Sequence, residues 1–574
     1  MVAEPVATKP WVSRYDQGVP ATLEPYPAIP LQHFLEEAAR QFPDRTATIF
    51  KPHPKFGGSQ LSYRELNALA DRFAAGLAAL GVQKGDRVLL FMPNMPQFVV
   101  AYYGSLKLGA IVVAANPQYT AAELEHQLRD SGAETVVVLS RFYNTLRAAL
   151  QHGTPVKRVI VTNIKEYMPG LLKTLFTLTR ERKDGHRVTL DPGHLWFQDF
   201  LRDAPATPPK VTVGPDDIAL FQYSGGTTGV PKAAVALHRN LVANTLQIRS
   251  WLADTRLGAE TVLMAIPLFH VYGMMAGMSF GIQAAATLVL IPDARELLTV
   301  MAAINAYHPT VFPGVPRLYN AINNHPDVQK YDLKSIRACI SGSAPLLIEV
   351  KSKFEALTGG KLVEGYGLSE APTATHCNPI YGTNKAGSIG LPFPDVDCRL
   401  ADLETGVDVE RGGVGELLIR GPQVMWGYWN MPEETAGTLK DGWLYTGDIA
   451  RMDDEGYFYI VDRKKEVIKA GGFQVWPRDI EEVLAQHPKV LEAAVAGVPD
   501  AARGGETVKA WVVLKPGQQA SEDELKDFCR ERLAPYKLPR MIEFRGELPK
   551  TTVGKILRRV LVQEHKDRQK TASG

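Results

Sequence analysis

Cysteine is scarce in this chain: Cys339, Cys377, Cys398 and Cys529 are the only four in 574 residues, and they lie far apart. That spacing excludes a disulfide framework and a paired-cysteine metal centre, and it suits a reduced, cytoplasmic protein. Charge of one sign is lacking as well. Lys and Arg number 64 against 62 Asp and Glu, a formal charge of +2, so no broad positive field recommends nucleic acid as a partner. An uninterrupted membrane-length apolar run is also missing. The longest apolar stretch, residues 271–291, is broken by Gly273, Gly277, Ser279, Gly281 and Gln283 and bracketed by Pro267 and Pro292. It reads as a buried helix followed by the strand 287–291. The N-terminus carries Glu4, Lys9 and early prolines instead of a signal-peptide core. There is no internal repeat, and only residues 565–574 read as disordered.

What is there has the texture of a soluble, multidomain α/β protein: 45% hydrophobic and 22% charged residues over a length with ample core. β-rich runs at 87–91, 110–114 and 134–139 alternate with helical patterns such as 97–108, which predicts layers with largely parallel sheets. From about residue 385 the pattern turns to short strands, at 415–421 and 456–461, before the charged cluster Asp462-Arg463-Lys464-Lys465-Glu466. Beyond it, 466–574 is long enough for a small α+β domain. The expected division is 1–462, a hinge at 463–465, and 466–574.

The most informative segment is Ser224-Gly225-Gly226-Thr227-Thr228-Gly229-Val230-Pro231-Lys232. Glycines let backbone N–H groups turn inward on an anion, hydroxyls add donors, and Lys232 closes the loop with a cation. Val230 and Pro231 separate the lysine from the glycine, so this is not a Walker loop. The apolar run 218–221 before it and the helical pattern 237–248 after it predict a strand–loop–helix junction, where a helix N-terminus adds to anion binding. Further on, Glu364-Gly365-Tyr366-Gly367-Leu368-Ser369-Glu370 sets an aromatic face between glycines and ends in a hard oxygen ligand. Taken alone, that segment is equally a turn with a helix cap. Tyr445-Thr446-Gly447-Asp448 ends in an acid able to accept from a ribose diol, and Pro549-Lys550-Thr551-Thr552-Val553-Gly554-Lys555 places a lysine after a glycine turn.

In this order the motifs resemble the acyl-adenylate-forming enzymes, the superfamily of acyl-CoA synthetases, luciferases and peptide-synthetase adenylation domains. The likeness runs from Leu61-Ser62-Tyr63-Arg64-Glu65-Leu66 to Lys555. It implies a large N-terminal domain of layered sheets and helices with a β-rich subdomain, and a small mobile α+β C-terminal domain. By similarity, Ser224 to Lys232 hold the β- and γ-phosphates of ATP. Gly342, Ser343, Ala344 and Pro345, with Glu364, Gly365, Tyr366, Gly367 and Ser369, enclose the adenine side, and Asp448 and Arg463 bind the ribose. Glu370 and Thr228 hold Mg²⁺. Lys555 bridges the substrate carboxylate and the α-phosphate, Lys465 marks the hinge, and Lys469 with Ala470-Gly471-Gly472 forms the face that receives the thiol of coenzyme A.

Several positions depart from the commonest pattern. Ala233 follows the loop lysine where glycine is usual, Ser369 replaces threonine, Ser343 replaces a glycine, and Asp479 replaces a glutamate. Pro267-Leu268-Phe269-His270-Val271-Tyr272-Gly273 corresponds to the acyl-site segment and lacks the aspartate that amino-acid-activating relatives use. His270 has two open roles, orienting the carboxylate or packing as an aromatic. Gly273, Ala276, Gly277, Gly342 and Ala344 are expected to leave room for an extended apolar chain.

Residues 165–200 resemble the extra segment of bacterial long-chain fatty acyl-CoA synthetases. The apolar stretch 167–176 with Arg180-Glu181-Arg182-Lys183 suggests contact of 165–183 with the inner face of a membrane, or a plain amphipathic cap. The expected activity is ATP-dependent joining of a medium- to long-chain fatty acid to coenzyme A through an acyl-AMP. The alternatives are an aryl-CoA ligase of the 4-coumarate type and an acyl-AMP ligase loading a carrier protein. A homodimer is the remaining partner expectation.

Overall fold

The computed structural model describes residues 9–55, 58–224, 231–470, 473–499, 506–551 and 556–573. The chain forms two compact units, one comprising Trp11–Asp397 with Arg420–Leu444, the other chiefly Cys398–Ile419 with the chain from Tyr445 onward.

The first unit is built on a sheet whose strands run, edge to edge, Gly427–Tyr428, Lys232–Leu237, Ile218–Ser224, Ile111–Ala114, Arg87–Phe91, Thr135–Leu139, Arg158–Thr162 and Leu195–Trp196. From Ile218–Ser224 to Leu195–Trp196 every pairing is parallel. Parallel strands covered on both faces are apolar at nearly every position, and Thr135-Val136-Val137-Val138-Leu139 is buried throughout. A second sheet sets Thr261–Met264, Thr287–Leu290 and Thr46–Phe50 side by side in parallel. Val311 bridges Val262 to Ala338, at the start of a third sheet that pairs Ala338–Ser341 with Lys361–Leu368. The apolar stretch 271–291 is the expected helix and strand, although the helix opens as a π-helical segment, Gly273–Ser279, before Phe280–Gln283.

The junction after Ser224 differs from the sequence expectation. It is strand–loop–strand, with Ile218–Ser224 and Lys232–Leu237 antiparallel and the helix His238–Trp251 beginning only afterwards. Ala233-Ala234-Val235-Ala236-Leu237 is apolar at every position and buried, so it pairs as an inner strand rather than coiling. The helix N-terminus therefore lies at the Ile218 end of the hairpin and adds nothing to the loop.

In the second unit, Trp443–Met452 pairs antiparallel with Phe458–Arg463. A sheet of Val490–Pro499, Glu506–Leu514 and Met541–Arg545 packs on the helices Pro477–Ala485 and Glu522–Arg530 around Ile480, Leu484, Val512 and Leu525. The C-terminal residues expected to be disordered continue the helix Arg558–Ser573. Glu564 pairs with Arg545 at 2.7 Å, His565 Nδ1 lies 2.9 Å from Lys509 Nζ, and Arg568 reaches Glu543 at 2.9 Å, so this helix is pinned to the sheet.

Burial also fixes protonation states in the first unit. His186, His238 and His270 are pushed down to about 4, and His376 to about 3. Between those values and the ordinary 6.5 the unfolded chain binds more protons than the folded one, so stability is full above about 6.5 and declines as pH falls. Asp462, raised by burial to about 6, acts in the opposite sense, one group against four. Denaturant midpoints measured from pH 7 to pH 5, where most carboxylates remain ionised, are expected to fall steadily; a flat profile would contradict neutral buried histidines.

Candidate functional site

The hairpin places Ser224 opposite Lys232 at the mouth of the loop. Residues 225–230, including Gly225, Gly226, Thr227, Thr228 and Gly229, lie outside the described residues, as does the side chain of Ser224. The short strand Gly427–Tyr428 adds to the hairpin's outer edge, with Tyr428 opposite Ala234. Its register puts the Tyr428 ring 5.4 Å from Lys232 Nζ. The Tyr428 hydroxyl donates to Glu370 Oε1 at 2.8 Å, and Met425 N donates to the Glu370 carbonyl at 2.8 Å. Burial first, and then the Glu370 carboxylate, push the Tyr428 phenol far up, so it remains a donor. Lys232 also forms an ion pair with Glu434, on the helix Pro432–Thr438. Thr435 Oγ1, one residue on, accepts from Tyr428 N at 2.9 Å and joins that helix to the strand. Cation, phenol and carboxylate thus stand in a row beside the loop.

A second group sits where parallel strands end. Ser341 pairs with Glu364; beyond them one chain turns through Gly342-Ser343-Ala344-Pro345 while the other continues as strand through Gly365-Tyr366-Gly367. Glu364 Oε2 accepts from Leu346 N at 3.0 Å, so this buried acid anchors the 342–346 turn. The expected turn and helix cap at 364–370 is a hairpin, because Ala371–Cys377 pairs back on Lys361–Leu368. A Cβ at Gly367 would stand 1.4 Å from the Thr373 carbonyl oxygen, so no other residue fits that backbone approach. The Tyr366 ring is half-buried and meets His376 edge-on at 5.8 Å. Ser341 Oγ is buried with no hydrogen-bond partner among the described residues.

The 267–273 segment joins this group. The Tyr272 hydroxyl donates to Ile340 O at 2.6 Å, and a Cβ on Gly342 would come within 3.1 Å of the Tyr272 ring. His270 Nδ1 accepts from Tyr272 N at 3.2 Å, and burial keeps the imidazole neutral, which leaves the proton on Nε2 as a donor. Of the small residues expected to leave room, Gly273 and Gly277 are closely packed. A Cβ on Gly273 would lie 2.2 Å from the Pro267 carbonyl oxygen, and one on Gly277 would lie 2.4 Å from Met264 Cε. Those glycines exist for close packing.

In the second unit, Asp448 and Arg463 are cross-strand partners, with Arg463 Nε 3.0 Å from Asp448 Oδ1. Glu416 accepts from Gly447 N at 3.1 Å and from Lys464 Nζ at 2.7 Å, which fixes the turn before Asp448. Lys469 stands opposite Gln474 in the hairpin Ile468–Ala470 with Phe473–Val475, its side chain outside the described residues together with Gly471 and Gly472. Lys555 lies outside them as well. Three residues on, Arg558 grips both oxygens of Glu481, at 3.0 and 2.7 Å, and pairs with Glu466.

Sequence reasoning missed Tyr428, Glu434, Glu416 and Arg558. Arg558 stood in the basic run after Lys555, while the others carried no local signal. Of the departures, Ala233 is buried in the core and accommodated by extended backbone. Lys537 pairs with Asp479, so the shorter acid still finds a cation.

A family model described as AMP-binding enzyme matches residues 35–429, and one described as AMP-binding enzyme C-terminal domain matches 479–555. The chain is 46% identical over 560 residues to a long-chain-fatty-acid–CoA ligase of Bacillus subtilis, covering 97% of this chain and 98% of that one. It is 41% identical over 564 residues to the ligase of the same name from Yersinia pestis, with the same coverage. Among solved structures, an anthranilate CoA ligase in complex with anthranoyl-AMP superposes with a TM-score of 0.80 at 29% identity, over 93% of this chain and 96% of that one.

Ser343 is exposed and holds φ at 71°, a left-handed backbone that costs an L-residue about 1–2 kcal/mol and glycine much less. Ser343→Gly is expected to stabilise the fold by about 0.5–1 kcal/mol, read as a rise in denaturant midpoint.

Proposed function

The chain belongs to the AMP-binding enzyme family, and on that premise we propose that it joins a medium- to long-chain fatty acid to coenzyme A at the expense of ATP. The end-to-end likeness to long-chain-fatty-acid–CoA ligases carries this reading. The reaction has two halves. A carboxylate oxygen attacks the α-phosphorus and pyrophosphate leaves; the thiol of coenzyme A, losing its proton, then attacks the acyl carbonyl and AMP leaves. The attacking carboxylate is already an anion, so the residues chiefly align reactants and hold charge.

The roles follow from the chemistry of each group. Lys232 and the loop 224–231 take the β- and γ-phosphates, the turn 342–345 and Tyr366 enclose the adenine, and Asp448 with Arg463 binds the ribose hydroxyls. Glycines at 342, 365 and 367 allow close backbone approach, and the unpartnered Ser341 Oγ lies beside that turn. Glu370, a carboxylate of the kind that binds Mg²⁺ together with substrate phosphates, would hold the ion with Thr228. Mg²⁺ would neutralise charge on the β- and γ-phosphates. His270, neutral with Nε2–H outward, orients the fatty carboxylate. Lys555 bridges carboxylate and α-phosphate in the first half. A swing about 463–465 then withdraws it and brings the Lys469 face to the thiol. Acyl-CoA formation measured from acetate through octadecanoate, with aromatic acids alongside, is expected to peak in the medium-to-long range. Lys555→Ala is expected to cut acyl-AMP formation ~10²–10³-fold. Turnover of aromatic acids alone would overturn the fatty-acid assignment in favour of an aryl-CoA ligase.

The helix Gly170–Thr179 is the surface we assign to the bilayer. No described helix is long and apolar enough to cross a membrane. On this one, however, Leu171, Leu175 and Leu178 are 77, 45 and 79% exposed at the i, i+4, i+7 spacing of a single face. Lys173, Arg180, Arg182 and Lys183 are exposed around it, whereas Glu181 is buried against Lys165 at 2.6 Å and takes no charge from the patch. Leucines ringed by cations fit an anionic lipid surface. Leu171→Glu with Leu178→Glu is expected to abolish co-sedimentation with phosphatidylglycerol vesicles; unchanged sedimentation would refute the assignment.

A further inference from the structure

The ion pair between Lys232 and Glu434 joins two unequal partners. The lysine side chain is 17% exposed and the glutamate 54%. Lys232 is held over the Tyr428 ring at 5.4 Å, and its backbone is locked opposite Ser224 by the hairpin. Glu434 stands in the first turn of a short helix with its side chain largely open to solvent. A cation fixed in place and an anion able to leave make an exchangeable pair.

We propose that Glu434 is a stand-in anion for the polyphosphate: it neutralises Lys232 while no nucleotide is bound, and the β- and γ-phosphates displace it on binding. This rests on assigning Lys232 to those phosphates. Without a counter-charge, a mostly buried ammonium beside the loop would bear an uncompensated desolvation cost. Glu370 has one oxygen engaged by the Tyr428 hydroxyl, and the carboxylate that pairs with Lys232 is that of Glu434. Glu434 therefore keeps the lysine extended at the loop mouth, and in exchange it opposes the incoming anion. Its removal tightens binding of ligands that carry the outer phosphates and leaves AMP, which lacks them, unaffected. A purely structural role, favourable placement of an acid in a helix's first turn, predicts no such split between the two ligands.

Titration calorimetry of the full chain with ATP and magnesium chloride, and separately with AMP, tests this for the wild type, Glu434→Gln and Lys232→Met, with melting curves to verify folding. Glu434→Gln is expected to bind ATP about three- to tenfold more tightly, a difference of roughly 0.7–1.4 kcal/mol, with AMP affinity unchanged. Lys232→Met is expected to weaken ATP at least tenfold. If Lys232→Met weakens ATP while Glu434→Gln leaves it unchanged, weakens it, or tightens AMP equally, the stand-in role falls and the phosphate assignment survives. If Lys232→Met leaves ATP affinity intact, the phosphate assignment falls and takes the stand-in role with it.

Discussion

The register of one hairpin, Ser224 opposite Lys232, is the constraint from which the rest of the proposed phosphate site follows. In a strand, side chains alternate between faces, so a slip of one residue would turn Lys232 away from the loop and set Ala233 in its place. Packing guards against the slip. Ala233 and Val235 lie in one buried cluster with Phe221 and Tyr223, and Ala234 in another with Leu444 and Tyr428, so both faces of the strand are spoken for. Tyr428 enters the row because it pairs with Ala234, and through its hydroxyl it fixes Glu370. Backbone pairing thus brings a cation to the ring and a carboxylate to the hydroxyl of one tyrosine, although the three residues come from distant parts of the chain.

The group around Glu364, proposed for the adenine side, obeys the same logic with a different device. The parallel pairing of two strands ends at Ser341 and Glu364, and the turn that follows Ser341 is held by a buried carboxylate that accepts the backbone N–H of Leu346. Glu364 therefore serves this group by shaping backbone. Glycine has the complementary task. At 367, 273 and 277 a Cβ would overlap an existing atom, so these residues are absences required by neighbours rather than spaces kept for a ligand. Ser343 departs from that economy: a side chain sits where φ is positive, at the solvent-facing crown of the turn. Local strain of this kind persists only where the surroundings hold the backbone, and the anchors at Gly342 and Leu346 supply that hold on both sides.

The layered α/β class was legible because parallel strands are apolar at every position and their helices carry a longer period; residues 87–91 and 134–139 could be read with little error. The strand after Lys232 was not, since five apolar residues running into a helical pattern have no turn signal between them. The motifs marked the segments proposed to meet nucleotide but were silent on what positions them. Tyr428 and Glu434 are ordinary residues in a loop-rich stretch, and only pairing with Ala234 gives them meaning. The C-terminal helix failed for a related reason: its own composition is charged and polar, and its stability comes from Glu543, Arg545 and Lys509 on the sheet beneath.

The ion pairs of the second unit say where a swing of the proposed kind can be accommodated. Arg463 is tied to Asp448, and Lys464 to Glu416 and the Gly447 carbonyl. On the other side, Glu466 is tied to Arg558, which also grips Glu481. Separating a half-buried bidentate pair would leave an uncompensated charge and cost about 3–5 kcal/mol, so Glu466, Glu481 and Arg558 would move more cheaply as one framework. Lys465 is the residue left between the two sets of anchors. Rotation there gives up the Glu466 N to Arg463 O bond and the contacts of Arg478 with Asp462 and Ile460. If such a rotation opened Asp462, whose carboxyl burial has raised to about 6, to water, the ionised form would be favoured there. The loss of two or three hydrogen bonds would then be partly offset by relief of a buried acid, the balance that the proposed hinge needs to swing out and back in each turnover.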